Sequence, residues 1–362
     1  PDPDSFKESV LEGWGRLEPD VKLNFVDWDC YEEDPPDNLD VFVFDAIYLT
    51  HFIEKGYLLP LLHNEVVESN DIVNFALNAC TIDGKTYAIP QIICTNLLYT
   101  RNSDPVLSNV KTVTQLYDIL GDRKSGGIIP DDNEGLLIDM SGGTTKACMY
   151  LDALIDTNKK YNDYFILPDL DNLNSDALES LKQLQLMAGV EQANYWSDEA
   201  YIRAKWFKNS KGRAYIGYTE AMSNMSDYLD KVKFRTFSLS SNANIPVFYG
   251  DVVGINSSII DEGKQGLAKE LANLISSKGV LINAIRPENS NLSPQYLLPA
   301  RYSVYIDLKK DFPIYTKLLG IAANPDNHLF KMGPDVRPWI KKAKVVIPEN
   351  LLMQSEEISS KK

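Results

Sequence analysis

Histidine is nearly absent. Only His51, His63 and His328 occur in 362 residues, so a Ser–His–Asp or Cys–His catalytic set has few places to form. Cysteine is scarce as well: Cys30, Cys80, Cys94 and Cys148 lie far apart without a CxxC pair, which argues against a zinc site and a dense disulfide framework. Positive charge is in deficit, with 36 Lys and Arg against 51 Asp and Glu and a net charge of -15. Binding nucleic acid requires cations in excess to neutralise phosphates, so that class of partner is excluded. A neutral or cationic small ligand suits this balance, and so does solubility alone. No apolar run approaches the roughly 20 residues of a membrane span. The opening PDPDSF is not a basic and apolar leader, and the chain reads as a mature or trimmed soluble protein.

What is present is a large share of core-forming residues, 44% hydrophobic, in a chain longer than one core usually serves; two lobes are expected. Residues Ser5 to Leu17 carry apolar positions at helical spacing, and VKLNFVDWD alternates like a strand. LDVFVFDAIYL reads as a buried strand with Asp45 at its carboxyl end, where α/β sheets collect ligand groups and where a helix N-cap would equally sit. His51, in the apolar helix that follows, reads as a satisfied structural histidine rather than a base. Further helices are expected at Asn70–Ala79, Thr112–Leu120, Ala177–Ala188 and Ser197–Phe207. SGGTTK opens another after the strand GLLIDMS, without the full phosphate-loop pattern. RAYIGY ends just before Glu220, at a helix start whose dipole favours a carboxylate. IPVFYGDVVGIN presents Tyr249 and Asp251 beside Gly250; glycine permits close backbone approach, and an aromatic with a carboxylate suits a flat amino-bearing or cationic ring. The chain is helical from Glu262 on, with a polar tail.

Alternating strands and helices predict an α/β fold of two lobes with a ligand cleft between them. Residues 1–103 and 245–300 form lobe I, 104–244 lobe II, 301–348 C-terminal helices packing on the lobes, and 349–362 the tail. In YAIPQIICTNLLYTR, from Tyr87 to Arg101, Cys94 sits where the chain changes direction after a proline-fixed approach. A cysteine in an apolar strand is most often buried and structural; here Gln91, Thr95 and Asn96 also place polar groups about it, as a ligand-facing crossover needs. Cys94, Glu220, Asp45 and Asp251 all fall at strand ends or crossovers, and Tyr31, Tyr201, Tyr218 and Tyr249 in similar positions. Only a few per cent of an ordinary thiol is thiolate at neutral pH, so Cys94 needs a base, and with so little histidine Glu220 is the candidate.

The blocks VDWDCYEEDPPDNLDVFVFDAIYL, IPQIICTNLLYTR, SGGTTKA, IGYTEAM, FYGDVVGIN and PQYLLPARYSVY, collinear over nearly the whole chain, closely resemble the thiamine pyridinylase (type I thiaminase) family. The resemblance implies the two-lobed group II periplasmic-binding-protein-like fold, a secreted enzyme, no metal or organic cofactor, and thiamin with an organic base or other nucleophile as small-molecule substrates. It implies that Cys94 is the nucleophile and Glu220 its base. Asp45 and Asp251 are implied to hold the aminopyrimidine among Tyr31, Tyr201, Tyr218 and Tyr249, in a chain expected to be a monomer away from membranes. Cys30 and Cys148 fall in matching blocks as structural residues. The family's chain has a β-strand and an aromatic-bearing turn before the PDP segment; a chain lacking them would have an unpaired sheet neighbour. A binder of thiamin or a related pyrimidine is the alternative, and it would need the aspartates and aromatics but not Cys94 with Glu220. A carbohydrate binder would leave the thiol and carboxylates unexplained.

Overall fold

The structure, a computed structural model, describes residues 3–242, 244–287 and 292–359, with side chains from 4 to 351. Its strands are β1 (Val41–Asp45), β2 (Thr81–Ile82), β3 (Lys85–Thr86), β4 (Ile89–Cys94), β5 (Leu97–Arg101), β6 (Asp132–Ile138), β7 (Gly212–Gly217), β8 (Val232–Arg235), β9 (Val247–Ile255), β10 (Leu298–Pro299) and β11 (His328–Leu329). The chain divides into two compact units. The first comprises Pro1–Cys94, Asp163–Phe165 and Val247–Val336, the second Thr95–Asn162, Ile166–Pro246 and Arg337–Lys362.

The first unit is built on a sheet of order β1-β9-β4-β10, with β11 also pairing with β9. β1, β4 and β10 run antiparallel to their neighbours, and β11 is parallel to β9. Val253, Ile255 and Ile89 pack on one face with Val10 of the Pro3–Leu17 helix and with Ala268, Ala272 and Ile275, residues that recur at helical spacing along the Glu262–Ile275 helix. This apolar core fixes the register, because a slip of one residue would turn the core side chains to the other face.

Residues 21–29, which alternate like a strand, belong to no ladder. Alternation only makes a face; a strand also needs a neighbour for its amides, and β1 stands at the end of the strand order. DGKTY forms a hairpin between β2 and β3, with Asp83 at φ 50° and Gly84 at φ 75°, the pair of left-handed residues that a two-residue hairpin loop needs.

The second unit carries the sheet β6-β7-β5-β8, in which β6 and β7 are parallel and the other pairs antiparallel. The chain thus leaves one sheet at Cys94 and enters the other at Leu97. The helix opened by SGGTTK spans Gly143–Asn158. Residues 301–336 belong to the first unit and 337–359 to the second. Residues 349–359, expected as a polar tail, continue the Val336–Ser359 helix; residues 360–362 lie outside the described residues.

On the Gly143–Asn158 helix, buried Asp156 accepts the backbone N–H groups of Leu239 and Ile245, both at 2.7 Å. It thereby holds the segment that leads to β9. Burial pushes its pKa up to about 6; burial, with the charge of Asp156 one turn away, also raises half-buried Asp152. The folded chain therefore keeps a proton on Asp156 that the unfolded chain releases near pH ~4. Stability from this group is present below pH ~4 and is lost as pH rises to about 6. Asp152→Asn, which resembles the protonated form, is expected to change stability at pH 7 by less than about 1 kcal/mol. Asp156→Asn turns one N–H donor against an amide and is expected to cost about 1–3 kcal/mol. Urea unfolding of both variants across pH 4–8 checks the contrast.

Candidate active site

Four of the expected residues meet on one face of the first sheet. In the β1–β9 ladder Asp45 is directly opposite Asp251, and in the β4–β9 ladder Cys94 is directly opposite Tyr249. Opposed residues of antiparallel strands point the same way at about 4.5–5.5 Å between Cβ atoms, and residues two apart on one strand share a face. Asp45, Asp251, Tyr249 and Cys94 therefore form one polar patch, beyond the end of the apolar core that occupies the same face. Asp251 and Tyr249 lie inside β9, not at a strand's carboxyl end as the sequence suggested; antiparallel pairing brings them level with the ends of β1 and β4.

The face on which Cys94 stands depends on a bulge. Ile89 pairs with Val253 and Pro90 with Val252, but it is Ile92 that meets Asp251, leaving Gln91 as the extra residue. One inserted residue reverses the alternation downstream. Cys94 thus shares its face with Ile89, which strict alternation would place opposite. Pro90, which has no N–H to contribute, sits at the irregularity where a strand tolerates it. Gly250 leaves room for the strand to approach its neighbours: a Cβ there would lie 2.9 Å from Leu329 and 3.0 Å from the Ile92 carbonyl oxygen.

Both Asp45 carboxylate oxygens are engaged. One oxygen accepts the Ile47 N–H at 2.9 Å, capping the Ala46–Tyr48 turn, and the other accepts the Tyr31 hydroxyl at 2.5 Å. Burial raises its pKa, and these two hydrogen bonds act against the rise. Tyr31 stands on an exposed turn, and its ring meets Tyr48 edge-on at 5.4 Å. Cys30 lies beneath, accepting the Asp45 backbone N–H; burial, with the charges of Asp45, Asp29 and Asp251 nearby, pushes its thiol up to about 12. Sequence reasoning gave Cys30 a structural part and missed that it backs the carboxylates. All four cysteines are thiols, and this upward shift makes Cys30 a poor nucleophile.

The second unit brings together Glu220, Tyr218 and Tyr201. β7 ends at Gly217, and the helix expected there follows over Thr219–Lys231 in 3-10 form, with a break at Met225. Glu220 is half-buried at its start, and burial raises its pKa, opposed by hydrogen bonds from its own backbone and from Thr219. The Tyr218 carbonyl accepts the Tyr99 hydroxyl at 3.1 Å. Tyr201, at φ 57°, precedes the Ile202–Lys208 helix, and its carbonyl accepts Asn224 at 3.2 Å, which ties it to the segment bearing Glu220. Beneath them Tyr99 stacks on Tyr215 with centroids 5.2 Å apart. Both phenols are shifted up, by burial first and with Glu220 and Tyr201 contributing. This buried tyrosine pair was not singled out from the sequence; its signal was the placement of Tyr99 and Tyr215 in two strands that turn out to be paired.

Gly217 is what makes room for the pair, since a Cβ there would fall 2.0 Å from the Tyr215 hydroxyl oxygen. The stacked, buried ring has nowhere to move. Gly217→Ala is expected to cost about 1–3 kcal/mol by overpacking, to be read from a urea midpoint shift at unchanged slope.

The two α/β units have the fold of periplasmic-binding-protein-like proteins: the maltodextrin-binding protein MalE1 from L. casei BL23 superposes with a TM-score of 0.63 over 96% of this chain and 90% of its own at 17% identity, which speaks to fold alone. Within that class the match is far more specific. The Thiaminase-1 domain profile matches residues 95–240. The curated Thiaminase-1 of Paenibacillus thiaminolyticus is 47% identical over 353 residues, spanning 97% of this chain and 86% of that protein. The structure of Clostridium botulinum thiaminase I in complex with thiamin superposes with a TM-score of 0.95 at 56% identity, covering 97% of each chain. This chain belongs to the thiaminase-1 family.

Proposed function

We propose that this chain is a thiamine pyridinylase, a transferase that degrades thiamin by exchanging its thiazole for an organic base. Membership of the family supports the activity, and the observation that carries the residue assignment is the register placing the Cys94 thiol on one sheet face with Asp45, Asp251 and Tyr249. Cys94 is the nucleophile. Its thiolate adds to the electron-poor pyrimidine carbon next to the carbon bearing the methylene, forming a C–S bond and shifting an electron pair into the ring. Asp45 and Asp251 hold the aminopyrimidine and support its protonation. The ring electrons then expel the thiazole, which leaves with the electron pair of the methylene–nitrogen bond. An amine adds at the methylene carbon, the C–S bond breaks, and thiolate is regenerated.

Glu220 is the base that takes the thiol proton and later the proton of the incoming amine. A carboxylate raised by burial suits both transfers, because its affinity for protons lies nearer neutrality. Tyr31, Tyr201, Tyr218 and Tyr249 present ring faces and hydroxyls to a flat cationic substrate. Among the described residues no helix is long and apolar enough to cross a membrane; the family resemblance supports secretion.

Incubation with thiamin and aniline or pyridine, followed by chromatography, tests the proposal. Free thiazole and the pyrimidine–base adduct in equal amounts are expected. Thiamin binding without thiazole release would instead support a non-catalytic binder.

A further inference from the structure

The chemistry above gives no part to His51, yet the ring is in contact with the segments that carry or support Tyr31, Asp45 and Tyr249. It is 6% exposed. Nδ1 lies 2.7 Å from the Pro334 carbonyl oxygen and Nε2 2.9 Å from a carboxylate oxygen of Asp34. The other Asp34 oxygen accepts the Tyr57 hydroxyl at 3.1 Å. Asp34 follows Tyr31 by three residues, and His51 follows Asp45 by six. Two segments are therefore clipped at both ends: Tyr31 to Asp45 at one end, Asp34 to His51 at the other, with the Tyr31–Tyr48 ring contact between. The Pro334 contact adds a third segment. There Met332 N–H donates to the Ile47 carbonyl at 3.2 Å, and Phe330 supports Tyr249 edge-on at 5.3 Å.

We propose that His51 is a positioning residue for thiamin binding: by joining Asp34 to the Pro334 carbonyl, it fixes the turn that keeps the Tyr31 hydroxyl on Asp45. This rests on the reading that Tyr31 and Asp45 hold the substrate. The His51 ring bonds to Pro334 and Asp34 and acts on Asp45 only through Tyr31, so its loss is expected to weaken binding more than it slows the chemical step. A charge-assisted hydrogen bond that aligns a neighbour is typically worth about a tenfold change in affinity.

The test is steady-state thiazole release over a range of thiamin concentrations, with thermal unfolding followed in parallel. His51→Ala is expected to raise KM about tenfold and to change kcat less than about twofold. His51→Gln should recover part of the loss, because its amide can donate to Asp34. Tyr31→Phe should raise KM similarly, and adding His51→Ala to it should cause little further loss, since both act through one contact. Unchanged KM in His51→Ala and Asp34→Asn, or additive losses in the double variant, would overturn the inference. If His51→Ala does not fold, His51→Gln and Asp34→Asn carry the comparison. A native chain that releases no thiazole would sink the thiaminase reading itself. Equilibrium dialysis with thiamin would then decide the His51 inference, with about a tenfold weaker Kd expected.

Discussion

Replacing Cys94 with serine is expected to abolish thiazole release, by on the order of 10⁴-fold or more, while leaving thiamin binding nearly intact. Serine is close in size, so the β4–β9 ladder and the patch formed with Asp45, Asp251 and Tyr249 should persist. What is lost is nucleophilicity, because a hydroxyl ionises far less readily than a thiol. Two measurements separate the chemical effect from a structural one. Thiamin should still protect Cys94→Ser against thermal unfolding, by mass action. Intact-mass spectrometry should find a pyrimidine adduct on the native chain when acceptor is withheld and none on the variant. An adduct on Cys94→Ser would move the nucleophile elsewhere. Cys30, the other thiol near the aspartates, is held in its neutral form by burial and would then need re-examination.

Glu220→Gln is expected to lower kcat about 10²–10⁴-fold with a smaller change in KM, the usual contribution of a positioned base. Its pH profile is the sharper test. Because burial raises the Glu220 pKa, the acid limb of kcat/KM should have its midpoint above the ordinary glutamate value of about 4.3. That limb should flatten in Glu220→Gln. Stability should move in the opposite direction: a carboxyl raised in the folded state contributes stability below its unfolded pKa and loses it as pH rises through the folded one. At pH 7 the charged form is a burden, so the glutamine variant should unfold at a slightly higher temperature, as often happens when a working group is removed. A variant less stable and equally active would assign Glu220 a structural role.

Much of the first unit's patch was legible as residue types and only partly as geometry. VFVFD ending in an aspartate signals a strand with a polar terminus, and β1 has that form. Asp251 and Tyr249 are different: in sequence they lie within an apolar strand, and only pairing with β1 and β4 shows that they stand level with Asp45 and Cys94. The bulge at Gln91 hides Cys94 further, since counting by twos from Ile89 assigns it the wrong face. Residues 21–29 fail for the converse reason, having the alternation without a ladder. In the second unit, GYTE announces Glu220 by its position after a strand, but the Tyr99–Tyr215 stack joins residues distant in sequence, and nothing local foretells which strands pair. His51 was legible as a satisfied buried ring; its partners Asp34 and Pro334 come from turns whose course no periodicity encodes.

β9 has β1 on one side and β4 on the other, with β11 pairing as well, so its central amides exchange with solvent only when the whole unit opens. Tyr249 and Asp251 ride on that strand and persist as long as the fold does. Tyr31 is tied down by side-chain bonds on an exposed turn, a kind of attachment that releases far more often than a sheet does. Tyr249 and Asp251 are thus as durable as the fold, while Tyr31 can turn over on the timescale of a loop. Under the proposed function, a substrate would enter and a leaving group depart past the Tyr31 turn without disturbing the thiol and carboxylates on the sheet.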